Sequence, residues 1–409
     1  MNNLIIKRRK FDKCDWFLLL FLVYNKGAFF PGIISRLLLM VILAVCVYYF
    51  FYANSHYRSL YLTGLNGFLA LITIYGSIYI LSGEDIMGIS NYTYLTNNYA
   101  PLLPIFPLYV FSRKGLLTED KIEKWFVVFL LVAIATFFIR QRNMLAADEI
   151  GQEEFTNNIG YTFVALLPLI FFVRKSMIRR YVYLLLIISF IILGMKRGAI
   201  LIAGLSLIFI LFFSLRNISR KGKIALVILS IALLFGIYMY GMYLFNESAY
   251  FQLRVEKTLE GGSSGRDDMY TKALKYFLNS DVVPFFLGNG ANKTYLILGN
   301  RAHNDWLELA INQGMVGVLV YLVYWLIIFY YVIKARRYKE VFPVVALFAF
   351  IYFTKSMISM SYDAYELYSC IAIAWSVAVI DKRIFLRKSP PPTKNTEIGE
   401  VLQLFNRNL

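Results

Sequence analysis

Long apolar runs alternate with short polar segments along almost the whole chain. Runs such as LLLMVILAVCVYYFFYA at 37–53 and FVVFLLVAIATFFI at 126–139 contain no charged residue. A helix needs about 20 predominantly apolar residues to cross the hydrocarbon core of a membrane, whereas the strands of an outer-membrane barrel show a shorter, alternating pattern. The pattern therefore predicts an all-α polytopic membrane protein.

The apolar runs predict about twelve transmembrane helices. The first is interrupted by Asn25, Lys26 and Pro31, and the fourth contains three prolines. The predicted spans are 16–35, 37–53, 64–81, 97–112, 125–140, 158–174, 180–195, 199–215, 223–245, 306–333, 341–358 and 365–381.

Composition agrees with this class, and the distribution of charged residues predicts how the chain is oriented in the membrane. The chain is 59% hydrophobic and only 16% charged, against about 25% charged in soluble proteins. Its net charge is +17, and 28 of the 42 Lys and Arg fall on one side when both termini are cytoplasmic. Because cytoplasmic loops concentrate Lys and Arg, the positive charge indicates membrane orientation, and no nucleic-acid partner is expected.

These assignments divide the chain into five parts. A cytoplasmic N-terminus, retained and not cleaved, is followed by transmembrane helices 1–9, a large outer loop, helices 10–12 and a cytoplasmic tail. The corresponding residues are 1–15, 16–245, 246–305, 306–381 and 382–409. The cysteines, Cys14, Cys46 and Cys370, show neither metal-ligand spacing nor a disulfide framework.

Two basic motifs lie on the predicted outer side. In LGMKRGAI, 193–200, Lys196 and Arg197 occupy a very short turn, where they either anchor the interface or face a protein cavity. In EGGSSGRDDMYTKALKYFLNS, 260–280, Ser264 and Asp267 fit a capping box. An apolar stripe after it predicts an amphipathic helix on the membrane surface. Arg266 then lies at a helix N-terminus that favours an anion, unless it pairs locally with an adjacent aspartate.

A third motif, RAHNDWLELAINQGMVG at 301–317, contains one of the two histidines. His303 is predicted to begin a helix, whose N-terminus disfavours the imidazolium, so the ring stays neutral and can accept a proton. The nearby Asp305 or Glu308 could oppose this effect by favouring the imidazolium, or could orient the ring. A lone histidine is more often structural, and His56, in a predicted cytoplasmic loop, is interpreted in that way.

In order and spacing these motifs resemble the O-antigen ligase and O-antigen polymerase superfamily of bacterial membrane enzymes. Members typically have an SRG-like turn, a GR motif in a large periplasmic loop, and a histidine motif where that loop ends. The matching segments here are MKRGA, SSGRDDMY and AHNDWLELAINQGMVG, and NNIGYTFVALLPL is similar to another family segment. The resemblance covers about 155–335. Lys196 departs from it, because serine is usual before the arginine.

The resemblance implies a GT-C-like fold and transfer of a glycan from undecaprenyl diphosphate to an acceptor sugar hydroxyl. The active site would lie on the outer, periplasmic face of the bacterial inner membrane, with no metal ion or nucleotide sugar. Arg197 and Arg266 match the arginines expected to hold the diphosphate, and His303 matches the residue expected to activate the acceptor. Further candidates for substrate binding are Arg254, Arg301, Arg140, Lys196, Asn304 and Asp363.

Several functions remain open. The preferred one is a repeat-unit polymerase for a surface polysaccharide such as O-antigen, capsule or exopolysaccharide, working in the bilayer with a chain-length regulator and a flippase as candidate partners. A ligase would instead transfer the glycan to lipid A-core or to protein. A lipid-linked oligosaccharide flippase, from another class, predicts two related halves and charges through the membrane depth. Here the polar residues concentrate in one loop, and Lys355 is a rare mid-span charge.

Overall fold

We describe the protein from a computed structural model, which covers residues 11–25, 32–83, 86, 98–148, 159–194, 196–215, 266–362 and 366–388, with scattered helical positions between 224 and 252. These residues form helices and no strand, as predicted. The helices are α1 (Lys13–Asn25), α2 (Gly32–His56), α3 (Leu60–Ser82), α4 (Ile105–Arg113), α5 (Glu119–Asp148), α6 (Ile159–Leu166), α7 (Met177–Leu193), α8 (Arg197–Leu215), α9 (Arg266–Leu278), α10 (Val282–Leu287), α11 (Lys293–Leu298), α12 (Asp305–Ala335), α13 (Phe342–Ile358) and α14 (Leu367–Lys388).

Several described helices can cross a membrane. Five helical segments among the described residues are long and apolar enough, namely Arg36–His56, Leu60–Ser82, Glu119–Ile139, Arg197–Ser214 and Asp305–Ala335. The described part of the chain is therefore all-helical, and its long apolar helices have the length and composition of membrane spans. The count of twelve spans remains a prediction, because the predicted ninth span, 223–245, lies mostly outside the described residues.

The predicted fourth span, 97–112, does not form a membrane-long helix. Turns occupy the residues before α4, and α4 itself has nine residues, or about 14 Å at 1.5 Å per residue. Pro101, Pro104 and Pro107 lack the N–H groups that a continuous helix needs, which explains the interruption. α4 is buried almost throughout its length, so it packs inside the bundle.

Other boundaries also differ from the predicted ones. Within the predicted first span, 16–35, α1 ends at Asn25 and α2 begins at Gly32, and residues 26–31 lie outside the described residues. The sixth, 158–174, changes at Leu167 from α6 into a 3₁₀ helix that contains Pro168. α14 continues to Lys388 and so extends into the predicted cytoplasmic tail.

α12 bends inside the protein. Its 31 residues would extend about 46 Å if straight, whereas the 17 residues of α13 extend about 26 Å. A compact turn joins the two helices at one end, and at the other the Asn304 side chain donates to the Met357 carbonyl at 2.8 Å. A straight α12 would therefore extend well beyond the end of α13. The bend occurs at Gly314 (φ 67°, ψ −161°), which leaves 315–335 as a membrane-long segment and turns 305–313 away from it.

The α10–α11 connection fills the gap in the backbone hydrogen bonding at this bend. The N–H groups of Asn289 and Gly290 donate to the carbonyls of Ile311 and Asn312, both at 2.9 Å. A Cβ added at Gly314 would lie 2.5 Å from the Gly288 nitrogen. The α10–α11 connection and the bent helix are therefore packed backbone to backbone.

Gly314→Ala is expected to destabilise the protein strongly. Its backbone conformation is almost restricted to glycine and costs about 1–3 kcal/mol in other residues, and the added methyl group would also displace the α10–α11 connection. A lower melting temperature in detergent, by several degrees, would be measured by fluorescence-detected size exclusion. Gly204→Ala is the control, since no atom lies within 4 Å of its added Cβ. Equal melting temperatures for both variants would contradict the packing role.

Two groups of polar contacts lie at or near chain segments predicted to be cytoplasmic. Lys121 forms an ion pair with Asp12 at 2.5 Å. The buried Asp381 carboxylate accepts from the hydroxyls of Tyr109 at 2.9 Å and Tyr331 at 2.6 Å. Asp381 thereby connects α14 to α4 and to the C-terminal part of α12, whereas α9, α10 and α11 pack near the opposite end of α12.

Candidate functional site

The C-terminal end of α13 connects the two motifs that contain Arg266 and His303. The last carbonyls of a helix have no intrahelical partner and attract donors and positive charge. The Ile358 carbonyl accepts from the Arg266 guanidinium at 2.7 Å, and the Met357 carbonyl accepts from Asn304. Arg266 and the start of α12 are thereby held against the same helix end.

Asn304, and not His303, caps α12. Its backbone is extended (φ −154°), and its side-chain oxygen accepts from the N–H groups of Trp306 at 3.0 Å and Leu307 at 3.1 Å. The helix therefore begins at Asp305, two residues later than predicted. His303 lies in the preceding turn with φ 50°, a left-handed conformation in which histidine is enriched.

Tyr270 holds that turn in place. Its hydroxyl donates to the His303 carbonyl at 3.0 Å, and it lies four residues after Arg266, on the same face of α9. Burial raises the pKa of Tyr270, and the nearby Arg266 charge opposes the rise, so the phenol stays a donor at neutral pH. Tyr270 was not among the predicted site residues, although its spacing from Arg266 could have indicated it.

His303 is half-buried among cations. Burial lowers its pKa, and the charges of Arg266, Lys196 and Arg301 lower it further. This direction agrees with the predicted neutral imidazole, but its causes are burial and three cations, whereas the predicted cause was a helix N-terminus. We call Lys196, Arg266, Arg301 and His303 the helix-end site. A neutral imidazole keeps one ring nitrogen as an acceptor, so His303 can take up a proton there.

Asp305 has a structural role. Its carboxylate accepts from the backbone N–H groups of Ser361 at 2.8 Å and Tyr362 at 3.2 Å, and from the Tyr321 hydroxyl at 2.7 Å. A fully buried carboxylate needs such partners. Asp305 therefore fixes the chain that follows α13 against the first turn of α12.

Glu308 performs the same task for the segment before α12. It accepts from the Thr294 hydroxyl at 2.5 Å, the Ala302 N–H at 2.8 Å and the Asn312 amide at 3.1 Å. The hydrogen bonds described for Asp305 and Glu308 go to groups other than the His303 ring. The hypothesis that one of these acids orients that ring is therefore not supported, and their buried carboxylates stabilise the surrounding turns.

The Lys196–Arg197 turn lies beside Arg266. An added Cβ at Gly198 would lie 2.3 Å from the Tyr161 hydroxyl oxygen and 3.7 Å from the Ile358 side chain. A side chain at position 198 would have to displace the Tyr161 hydroxyl, so α8 packs closely against α6 here. Lys196 is the member of the pair whose charge acts on His303, and Arg197 is the first residue of α8.

Lys355 is a buried cation close to this site. Its ammonium lies 5.1 Å from the ring centre of Tyr161 and 5.5 Å from that of Tyr352. The carboxylates of Glu366 and Asp305 offset its charge. Lys355 is the rare mid-span charge of the sequence, for which no role was predicted. It lies in the last turn of α13, just before Met357 and Ile358, whose carbonyls bind Asn304 and Arg266.

The other candidates have mixed outcomes. Arg301, whose charge lowers the pKa of His303, is anchored because its Nε donates to the Tyr295 hydroxyl at 2.8 Å. His56 stacks on Tyr52 with ring centres 4.1 Å apart and bonds to its carbonyl, in agreement with a structural interpretation. Outside the described residues lie the side chain of Arg140, and Arg254, Ser264 and Asp363 entirely.

The predicted amphipathic helix exists as α9, but its apolar stripe is used differently. Ala273 and Phe277 are buried and pack against the protein, whereas Leu274 is 48% exposed. The helix therefore does not present the whole stripe to the membrane surface. Its buried face instead brings Arg266 to the end of α13.

The described helices are apolar, and the helix-end site with its cations lies at their ends. Together these features define a polytopic α-helical membrane protein with a polar site at one end of the bundle. Residues 182–322 match a family model described as O-antigen ligase. The match confirms, over this range, the resemblance to the O-antigen ligase and polymerase superfamily. It includes the whole helix-end site together with Arg197, and excludes Arg140 and Asp363. No curated protein matches the chain.

Proposed function

We propose that the protein transfers a glycan from undecaprenyl diphosphate to the hydroxyl of an acceptor sugar at the helix-end site. The family match supports glycan transfer of the ligase or polymerase type. The observation that carries the finer proposal is the half-buried His303, whose pKa is lowered by burial and then by Arg266, Lys196 and Arg301. Such a group of cations suits a diphosphate, and the histidine among them suits an acceptor hydroxyl.

In the proposed step, the acceptor oxygen attacks the anomeric carbon of the donor, and the bond from that carbon to the phosphate oxygen breaks. The bonding electrons leave with undecaprenyl diphosphate, and the hydroxyl proton passes to His303. Arg266 and Lys196 bind the diphosphate, with Arg197 assigned to the same task, and offset the charge that develops on the leaving group. A guanidinium has five N–H donors, so one bond to Ile358 leaves others for phosphate.

Donor binding also prepares the base in this proposal. Arg266, Lys196 and Arg301 lower the pKa of His303 after burial, which keeps the imidazole neutral but weakly basic. A bound diphosphate offsets these positive charges, and opposite charge nearby favours the imidazolium. His303 therefore becomes a stronger base once the donor is in place, which limits proton uptake in its absence.

A reconstituted reaction tests the proposal. Purified protein in nanodiscs is incubated with its native repeat unit on undecaprenyl diphosphate, and the products are separated on a glycan gel. We expect a ladder of lengthening lipid-linked chains, the result of a polymerase. Transfer only after lipid A-core or a protein acceptor is added would identify a ligase. Absence of product in all these reactions would contradict glycan transfer and favour the flippase hypothesis.

A further inference from the structure

α9 has two chemically different faces. Arg266 and Phe277 lie on the face that contacts the rest of the protein. Lys272 and Lys275 lie on the opposite, exposed side, as expected from about 100° of rotation per residue. One helix therefore carries a cation to the helix-end site and presents two more cations away from it.

A cavity of 480 Å³ opens beside these lysines, where α9 turns into α10. Its lining residues are Lys272, Lys275, Tyr276, Asn279, Ser280, Asp281 and Pro284. Lysines outnumber the single acidic residue, Asp281, and a phenol, an amide and a hydroxyl supply further polar groups. This lining suits a phosphate or another singly charged anion.

The adjoining helix α10 is apolar and exposed. None of its residues is buried, and four of its six side chains are large and apolar, with between half and three quarters of their surface accessible. These are Val282, Val283, Phe286 and Leu287. A contiguous apolar surface of this kind marks contact with a membrane or another protein.

The level of α10 relative to the bilayer follows from the bend in α12. Residues 315–335 extend about 32 Å, close to the hydrocarbon thickness of roughly 30 Å. Gly288, the residue after α10, packs against the backbone at Gly314, where this segment begins. The Tyr75 hydroxyl also donates to the Leu287 carbonyl. α10 is thus held at the edge of the hydrocarbon core.

We propose that the α9–α10 elbow, residues 272–287, binds an anionic phospholipid of the adjacent leaflet. The phosphate occupies the cavity beside Lys272 and Lys275, and the acyl chains lie along α10. Cations next to exposed apolar side chains are complementary to an anionic amphiphile. The glycan donor is a different ligand, because the cavity lies on the face of α9 opposite Arg266.

Single-cysteine probes test the membrane contact. The native Cys14, Cys46 and Cys370 are buried, so Val283→Cys and Asp268→Cys can be labelled in turn with an environment-sensitive fluorophore in the full-length protein. In nanodiscs that contain headgroup-region nitroxide lipids, we expect strong quenching at position 283 and little at 268. Equal quenching at both positions, or none at 283, would overturn the proposal.

Lipid charge tests the cavity. Fluorescence at position 283 is expected to change as phosphatidylglycerol replaces phosphatidylcholine, and Lys272→Gln with Lys275→Gln should remove that dependence. Lys293→Gln, an outer lysine outside the cavity lining, should retain it. An unchanged dependence in the double variant would overturn the site. Suppression of the dependence by millimolar inorganic phosphate at constant ionic strength would identify a free-anion site and overturn the lipid assignment.

Discussion

Arg266→Ala is expected to lower the rate of glycan transfer by about 100- to 1000-fold, the usual loss when a donor that stabilises transition-state charge is removed. In the proposed step this guanidinium faces the diphosphate leaving group, and its bond to the Ile358 carbonyl fixes its direction. Arg266→Lys keeps the charge but loses the planar fork, so it should recover only part of the rate. Initial rates are measured with the lipid-linked repeat unit in nanodiscs.

The control separates chemistry from folding. Arg336→Ala removes an exposed arginine at the opposite end of α12 and should retain the wild-type rate. Because Arg266 also connects α9 to α13, each variant's melting temperature is compared with its rate. A near-wild-type rate in Arg266→Ala would contradict the proposed role. Equal loss in Arg266→Lys and Arg266→Ala, with the melting temperature lowered alike in both, would assign Arg266 a structural role only.

The membrane class was predictable because hydropathy depends on composition within one segment. Helices such as α3 and α8 therefore lie close to their predicted positions. α4 and the bend in α12 were missed for a different reason. At Gly314 the helix gives up backbone hydrogen bonds that a distant segment, around Asn289, replaces. A local pattern does not contain that information.

The helix-end site was only partly predictable for the same reason. Arg266 and His303 stand out as polar residues in short motifs, so their candidacy could be inferred from the sequence. Their association depends on the free carbonyls at the end of α13. Every helix end has such carbonyls, so no sequence motif indicates which side chains will bind them. Lys355 stands out in the sequence as a rare mid-span charge, and Tyr270 is spaced four residues from Arg266, but only the packing shows that both lie beside the motif residues.

The pH dependence of transfer is expected to report His303. The base acts when unprotonated, so kcat/KM should rise with pH through the pKa of the free protein, which burial, Arg266, Lys196 and Arg301 lower below the usual value of about 6.5. Lys196→Met removes one positive charge, which raises that pKa and moves the rise to higher pH. Because a bound diphosphate offsets the cations, the corresponding rise in kcat should lie at higher pH than that in kcat/KM.

His303→Ala should lower kcat by about 100- to 10,000-fold, the range for loss of a general base, and abolish this dependence on pH. His56→Ala is the matched control, because the His56 ring is exposed, stacks on Tyr52 and is distant from His303 in the sequence. It should keep both the rate and the pH profile. A low-pH decline that persists in His303→Ala would assign the titration to another group. An unmoved midpoint in Lys196→Met would remove Lys196 from the helix-end site, since a charge that acts on His303 must shift its titration.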